Sequence, residues 1–108
     1  METVIIVEGK NDRERLLPHL HPDTHVLCTF GIPRHDRLLE IVKQAQDANF
    51  VYIFTDNDRV GRRIRRMLSD EFPDAIHLHT KSEYGGVEKT PSEYLAQILE
   101  KHELLSDM

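Results

Sequence analysis

The chain predicts an α/β fold in which a four-stranded parallel sheet carries helices on both faces. Three observations point there. Short β-branched or apolar runs recur at residues 3–7 (TVIIV), 25–30 (HVLCTF), 50–55 (FVYIFT) and 75–80 (AIHLHT). The segments between them place apolar residues at helical spacing. The resulting order, βαβαβαβα, calls for right-handed crossovers between parallel strands. At 108 residues there is room for one core and hence a single domain over 1–108.

Each element has its own signal. Residues 3–7 are apolar throughout and bounded by Glu8-Gly9, as expected of a strand buried on both faces. Residues 12–20 follow as a helix with Leu16, Leu17 and Leu20 inward, Asp12 as its cap and Pro18 shortening it. The strand at 25–30 is broken by Gly31-Ile32-Pro33, after which Leu38, Leu39, Ile41, Val42 and Ala45 form the apolar stripe of a second helix. The third strand, 50–55, leads into a helix over 59–72. At 100° per residue, Val60, Ile64, Met67 and Leu68 fall on its core side, and Arg59, Arg62, Arg63 and Arg66 lie within about a quarter-turn on another side. Pro73 ends this helix. Residues 75–80 form a weaker edge strand, and Thr90-Pro91-Ser92-Glu93 reads as a capping box for a last helix reaching about residue 103, with Leu95, Ile98 and Leu99 inward.

Composition narrows the function. Charged residues at 31% and hydrophobic residues at 39% suit an ordinary soluble domain. No run approaches the ~20 apolar residues of a membrane span, so no membrane partner is expected. A basic n-region is missing before the first strand, and the lone Cys28 lies in an apolar run, which places the chain in the cytoplasm. The net charge of −5 argues against a general nucleic-acid coat, yet five arginines fall within residues 59–66 and make a local basic patch.

Ligands of open α/β sheets gather at the carboxyl ends of strands, where strand order reverses. A 2-1-3-4 order sets strands one and three side by side. Glu8, at the end of the first, then shares a crevice with Asp56 and Asp58, at the end of the third. Three such charges repel unless compensated, and a hard divalent cation such as Mg²⁺ takes oxygen ligands of this kind. Glu8 either completes the ligand set or moves a proton at a reacting oxygen. Taken alone, Asp-x-Asp before a helix is also a turn and an N-cap, and an arginine face is also a solvated surface. Lys10 and Lys81 stand where strand ends meet the crevice, as phosphate contacts or as solvated lysines. His77 with His79, and His19 with His21 and His25, are read as an edge-strand face and a polar turn rather than zinc sites.

The segments VIIVEGKNDRERL (4–16) and VYIFTDNDRVGRRIRR (51–66) resemble the two motifs of the Toprim domain. That domain is shared by topoisomerases, bacterial primases, old-family nucleases, recombination-repair proteins and ribonuclease M5. The matching positions are Glu8, Gly9, Asp12, Asp56, Asp58 and Gly61. YGGVEKTPSEYL (84–95) further resembles the Gly-Val-Glu segment of the ribonuclease M5 type, which adds Gly86 and Glu88, the latter equally readable as an exposed loop acid.

The resemblance implies a Rossmann-like, three-layer α/β/α Toprim fold in a small stand-alone protein. It implies Glu8 as general acid/base and Asp56 and Asp58 as ligands of Mg²⁺, with Mn²⁺ as a substitute. Arg59, Arg62, Arg63, Arg66 and Lys10 become the phosphate-binding set. The expected function is phosphoryl transfer on nucleic acid, RNA before DNA, in the manner of a ribonuclease M5 nuclease. The competing expectation is a non-catalytic metal- and nucleic-acid-binding module that serves a partner protein supplying a substrate-binding domain. The catalytic tyrosine domain of topoisomerases and the zinc module of primases have no counterpart in this sequence.

Overall fold

The sheet sits between two pairs of helices. The computed structural model describes residues 2–106. In chain order it runs β1 (Thr3–Val7), α1 (Lys10–Leu16), β2 (Thr24–Cys28), α2 (His35–Ala45), β3 (Phe50–Ile53), α3 (Arg59–Glu71), β4 (Ile76–His77) and α4 (Ser92–Lys101). The strand order is β2-β1-β3-β4, with every pairing parallel, as the sequence predicts.

Alternation along β1 builds the layers. Ile5 and Val7 face a core that includes Leu16, Leu95 and Leu99, from α1 and α4. Val4 and Ile6 face the opposite core with Ile41, Ala45, Ile64 and Leu68, from α2 and α3. Ile5 and Ile6 are both fully buried. Cutting either to alanine removes packing of a kind commonly worth about 2–5 kcal/mol.

Local differences from the sequence reading have physical causes. The first helix begins at Lys10 with Gly9 as its N-cap, and Asp12 works from inside the first turn, accepting the Gly9 N–H at 3.0 Å. Pro18 does shorten the helix, which tightens into a 3₁₀ turn at Leu17–His19. In α3 the buried residues are Gly61, Ile64 and Leu68. The core side is therefore rotated by roughly 50° from the apolar count, away from Val60, which is exposed, and toward Arg65. Leu39 of α2 is likewise exposed rather than inward. The fourth strand pairs over two residues only.

The capping box at residues 90–93 does not form. The Thr90 hydroxyl instead donates to the Gly86 carbonyl at 2.6 Å, and Pro91 takes the N-cap position.

Candidate functional site

Glu8 is the first residue past β1, and its backbone is held from the β2 side. Its carbonyl accepts the N–H groups of Phe30 (2.8 Å) and Gly31 (3.3 Å). Its side chain reaches the other way, where Oε2 accepts the Asp56 N–H at 2.6 Å. The pairing of β1 with β3 thus brings Glu8 and Asp56 into direct contact.

Asp56 is clasped from a second direction. Its Oδ1 accepts the Val87 N–H at 3.0 Å. The loop that supplies this donor passes so close that a Cβ on Gly86 would lie 2.6 Å from Asp56 Oδ1, and Gly86 has φ +136. Gly61 is equally constrained, since its Cβ would lie 2.1 Å from the Asp56 carbonyl oxygen. Asp58 caps α3 through Oδ1, which accepts the Gly61 N–H at 2.6 Å. A hollow of about 110 Å³ opens beside it, lined by Asn57, Asp58, Thr80, Ser82, Gly85 and Gly86.

The electrostatics are those of crowded, half-buried acids. Burial pushes the Glu8 carboxyl up to about 7; its bond from the Asp56 N–H opposes this, and the charges of Asp56, Asp58 and Asp12 add to it. Asp12 rises to about 6, first through burial and then through the Asp56 charge. Asp56 is also raised by burial, against the bond from Val87 and with the Asp58 charge. Oxygen donors that repel one another match what Mg²⁺ requires. Among the described residues no group of three or more His, Cys, Asp or Glu side chains is placed to hold a metal ion.

The basic residues divide differently from the count along the helix. Arg59, Arg62, Arg65 and Arg66 line a groove of about 370 Å³ with Ser69 and His77. Arg63 is exposed but stands outside that lining. Arg62 also donates to the Asn57 carbonyl. Lys10 ion-pairs with Glu14 of its own helix at 3.9 Å. Lys81 lies over the Tyr94 ring, 4.8 Å from its centroid. Glu88 is exposed and accepts from Asn11 Nδ2 at 3.1 Å, while its charge helps raise both Asp12 and Asp56.

Arg65, which the sequence reading left aside, turns inward. It donates to the carbonyls of Ile53 (3.1 Å), Thr55 (2.9 Å) and Leu78 (2.8 Å), and meets His77 Nδ1 at 2.9 Å. His79 Nδ1 lies 3.2 Å from Asn57 Oδ1. The signal that could have found Arg65 is positional. It flanks Ile64 on the side facing the end of β3 and the short edge strand, where backbone carbonyls call for further donors.

Comparisons with known proteins agree with this geometry. The Toprim domain family pattern matches residues 3–87. The uncharacterized protein YusF of Bacillus subtilis (strain 168) is 36% identical over 99 residues, which cover 92% of this chain and 67% of YusF. Ribonuclease M5 of Bacillus cereus is 34% identical over 108 residues, covering 93% of this chain and 56% of that protein. The solved structure of a small TOPRIM domain protein from Bacillus stearothermophilus aligns with a TM-score of 0.86 at 31% identity, covering 98% of this chain and 90% of that one. This chain thus spans about two thirds of YusF and little more than half of the Bacillus cereus ribonuclease M5. The carboxylates meet between β1 and β3 inside a segment that the family pattern covers almost from end to end, and the chain belongs to the Toprim domain family.

Proposed function

We propose that the chain is a Mg²⁺-dependent phosphoryl-transfer protein acting on nucleic acid, most closely a nuclease of the ribonuclease M5 kind with RNA as substrate and the cytoplasm as its place of work. The observation that carries this is the 2.6 Å bond from the Asp56 N–H to Glu8, which sets a proton-carrying carboxyl beside Asp56. Relatedness to ribonuclease M5 at 34% identity supports the nuclease reading and RNA over DNA.

Asp56 and Asp58 would hold the metal, with Glu8 beside them, and Mn²⁺ would substitute. Bound there, Mg²⁺ would offset the carboxylate charge and polarise the scissile phosphate. Glu8, raised to about 7, is suited to give or take a proton at the reacting oxygen near neutral pH. Arg59, Arg62 and Arg66 would hold the phosphate chain in the groove along α3, with Arg63 adding charge outside it and Lys10 free to exchange Glu14 for phosphate. Glu88 would act on the site through its charge.

The expected result is Mg²⁺-dependent cleavage of a structured RNA, lost by at least about 100-fold in Glu8→Gln and in Asp56→Asn. Cleavage at the wild-type rate in both variants would refute the assigned roles. The second reading, a binding module that works with a partner protein, is favoured by the net charge of −5, against the basic balance usual in nucleic-acid-binding domains. It predicts a Mg²⁺-dependent rise in Tm that Asp56→Asn removes, with no cleavage by the isolated chain.

A further inference from the structure

Phe30 is out of keeping with its surroundings. Its φ is +57, a left-handed conformation that a bulky side chain rarely adopts. With Gly31 at φ +80, the turn aims two successive N–H groups at the Glu8 carbonyl. Glycine or asparagine would make that turn without strain. The ring gains no burial in exchange, because Phe30 is 66% exposed. It is nevertheless held still. The Arg37 guanidinium carbon lies over the ring, 5.2 Å from its centroid, and Arg37 is anchored by donating through Nε (2.9 Å) and a terminal nitrogen (2.6 Å) to the Cys28 carbonyl. The other terminal nitrogen faces Glu40 at 3.7 Å, so the charge of Arg37 is engaged locally. Arg34, four residues from Phe30 at the N-cap of α2, is exposed.

A strained aromatic, fixed on one face and open on the other, is thus tied to the backbone of Glu8. Strain of this kind is kept where surrounding structure enforces it and recurs at ligand clamps. An exposed ring beside cationic side chains is the combination that binds single-stranded polynucleotides, since every base has a π-face to stack.

We propose that Phe30 is the stacking platform for an unpaired nucleobase of the strand whose phosphate lies at Glu8 and Asp56, with Arg34 as the adjoining phosphate contact. This rests on the nucleic-acid reading above and adds to it a requirement for an unpaired base beside the site.

The chain has no tryptophan, so Phe30→Trp introduces a single indole reporter. Its emission is expected to be quenched by single-stranded RNA and DNA decanucleotides and unchanged by an abasic strand of equal length. Anisotropy of a labelled decanucleotide should show Phe30→Ala and Phe30→Gly weakening binding by roughly 5- to 100-fold. Phe30→Gly should at the same time raise Tm by a few degrees, because it removes the strained conformation, so lost binding cannot be assigned to misfolding. Equal binding by wild type and both variants, or equal quenching by the abasic strand, overturns the platform while leaving the nucleic-acid reading intact. Failure of the wild type to bind any strand overturns both. Sedimentation in which Phe30→Ala turns a dimer into a monomer without changing strand binding assigns the ring to a second copy of the chain instead.

Discussion

Gly86 and Gly9 make a matched pair at the scale of single residues. Both lie in segments that meet the carboxylates, but only Gly86 is forced to be glycine. A Cβ at Gly9 would be 3.7 Å from Asp12 Oδ2, an ordinary contact, and its backbone is extended at φ −143. A Cβ at Gly86 would strike both oxygens of Asp56, at a φ that L residues rarely adopt. Gly86→Ala is therefore expected to cost about 1–3 kcal/mol and to displace Asp56 from the Val87 N–H. Gly9→Ala should stay within about 0.5 kcal/mol of wild type. Urea denaturation of the two variants checks the contrast; equal costs would show that the close approach of the Gly86 loop is not sustained in solution.

Arg65 makes the case at the scale of elements. β4 contributes two residues of pairing, too little to hold an edge strand, and the Arg65 guanidinium takes up the carbonyls of Ile53, Thr55 and Leu78 around it. Arg65→Met keeps the stem and removes the Arg65 donor from the Thr55 and Leu78 carbonyls, while the Ile53 carbonyl retains its bond from the Leu78 N–H. A loss of about 2–4 kcal/mol is expected, with fast amide exchange confined to residues 76–80 and the ends of β3. If Arg65→Met loses no more stability than Arg63→Met, the staple is refuted.

This is also where the sequence was hardest to read. The three long strands announce themselves as short runs dominated by apolar residues, and their order follows from the crossover rules. Glu8 and Asp56 could be paired on paper because each directly follows a buried run. Nothing in "RVGRRIRR" separates Arg65 from its neighbours, since its role depends on carbonyls supplied by two other segments. The count over α3 also missed that Gly61 belongs to its buried stripe, because a glycine adds nothing to an apolar tally while permitting the closest contact. At residues 75–80 an alternating pattern suggested a six-residue strand, but only Leu78 and Thr80 are buried, and the chain leaves the sheet after His77. Phe30 read as the last residue of a strand, and no sequence signal distinguishes a left-handed phenylalanine from an extended one.

Across the whole molecule, the acids oppose the fold that gathers them. Glu8 rises from 4.5 to about 7 and Asp12 from 3.8 to about 6 on folding, so between those values the folded chain binds more protons than the unfolded one. Stability without divalent metal should therefore be greatest at the acid end of this window and fall as pH rises through it, levelling off above pH 7. Both groups keep some solvent contact, so the Glu8 share is on the order of 1 kcal/mol, or several degrees in Tm. Glu8→Gln should flatten the profile between about pH 5 and pH 7. Mg²⁺ should restore most of the lost stability at pH 7.5 and little at pH 5, because protons compete for the same oxygens. Thermal melts across this range, with and without about 10 mM Mg²⁺, are sufficient. A metal-free Tm that rises from pH 5 to pH 7.5 in wild type relative to Glu8→Gln would contradict the sign.

The clasp on Asp56 has a consequence for how the chain is made. Val87 lies 31 residues beyond Asp56. At synthesis rates of roughly 5–20 residues per second, it leaves the ribosome a few seconds later. β1, β2 and β3 can pair in that interval, bringing Glu8 against Asp56 before the Gly86 loop exists. A nascent chain with these strands paired would hold its carboxylates together with one side uncovered until the Val87 N–H emerges to close over Asp56.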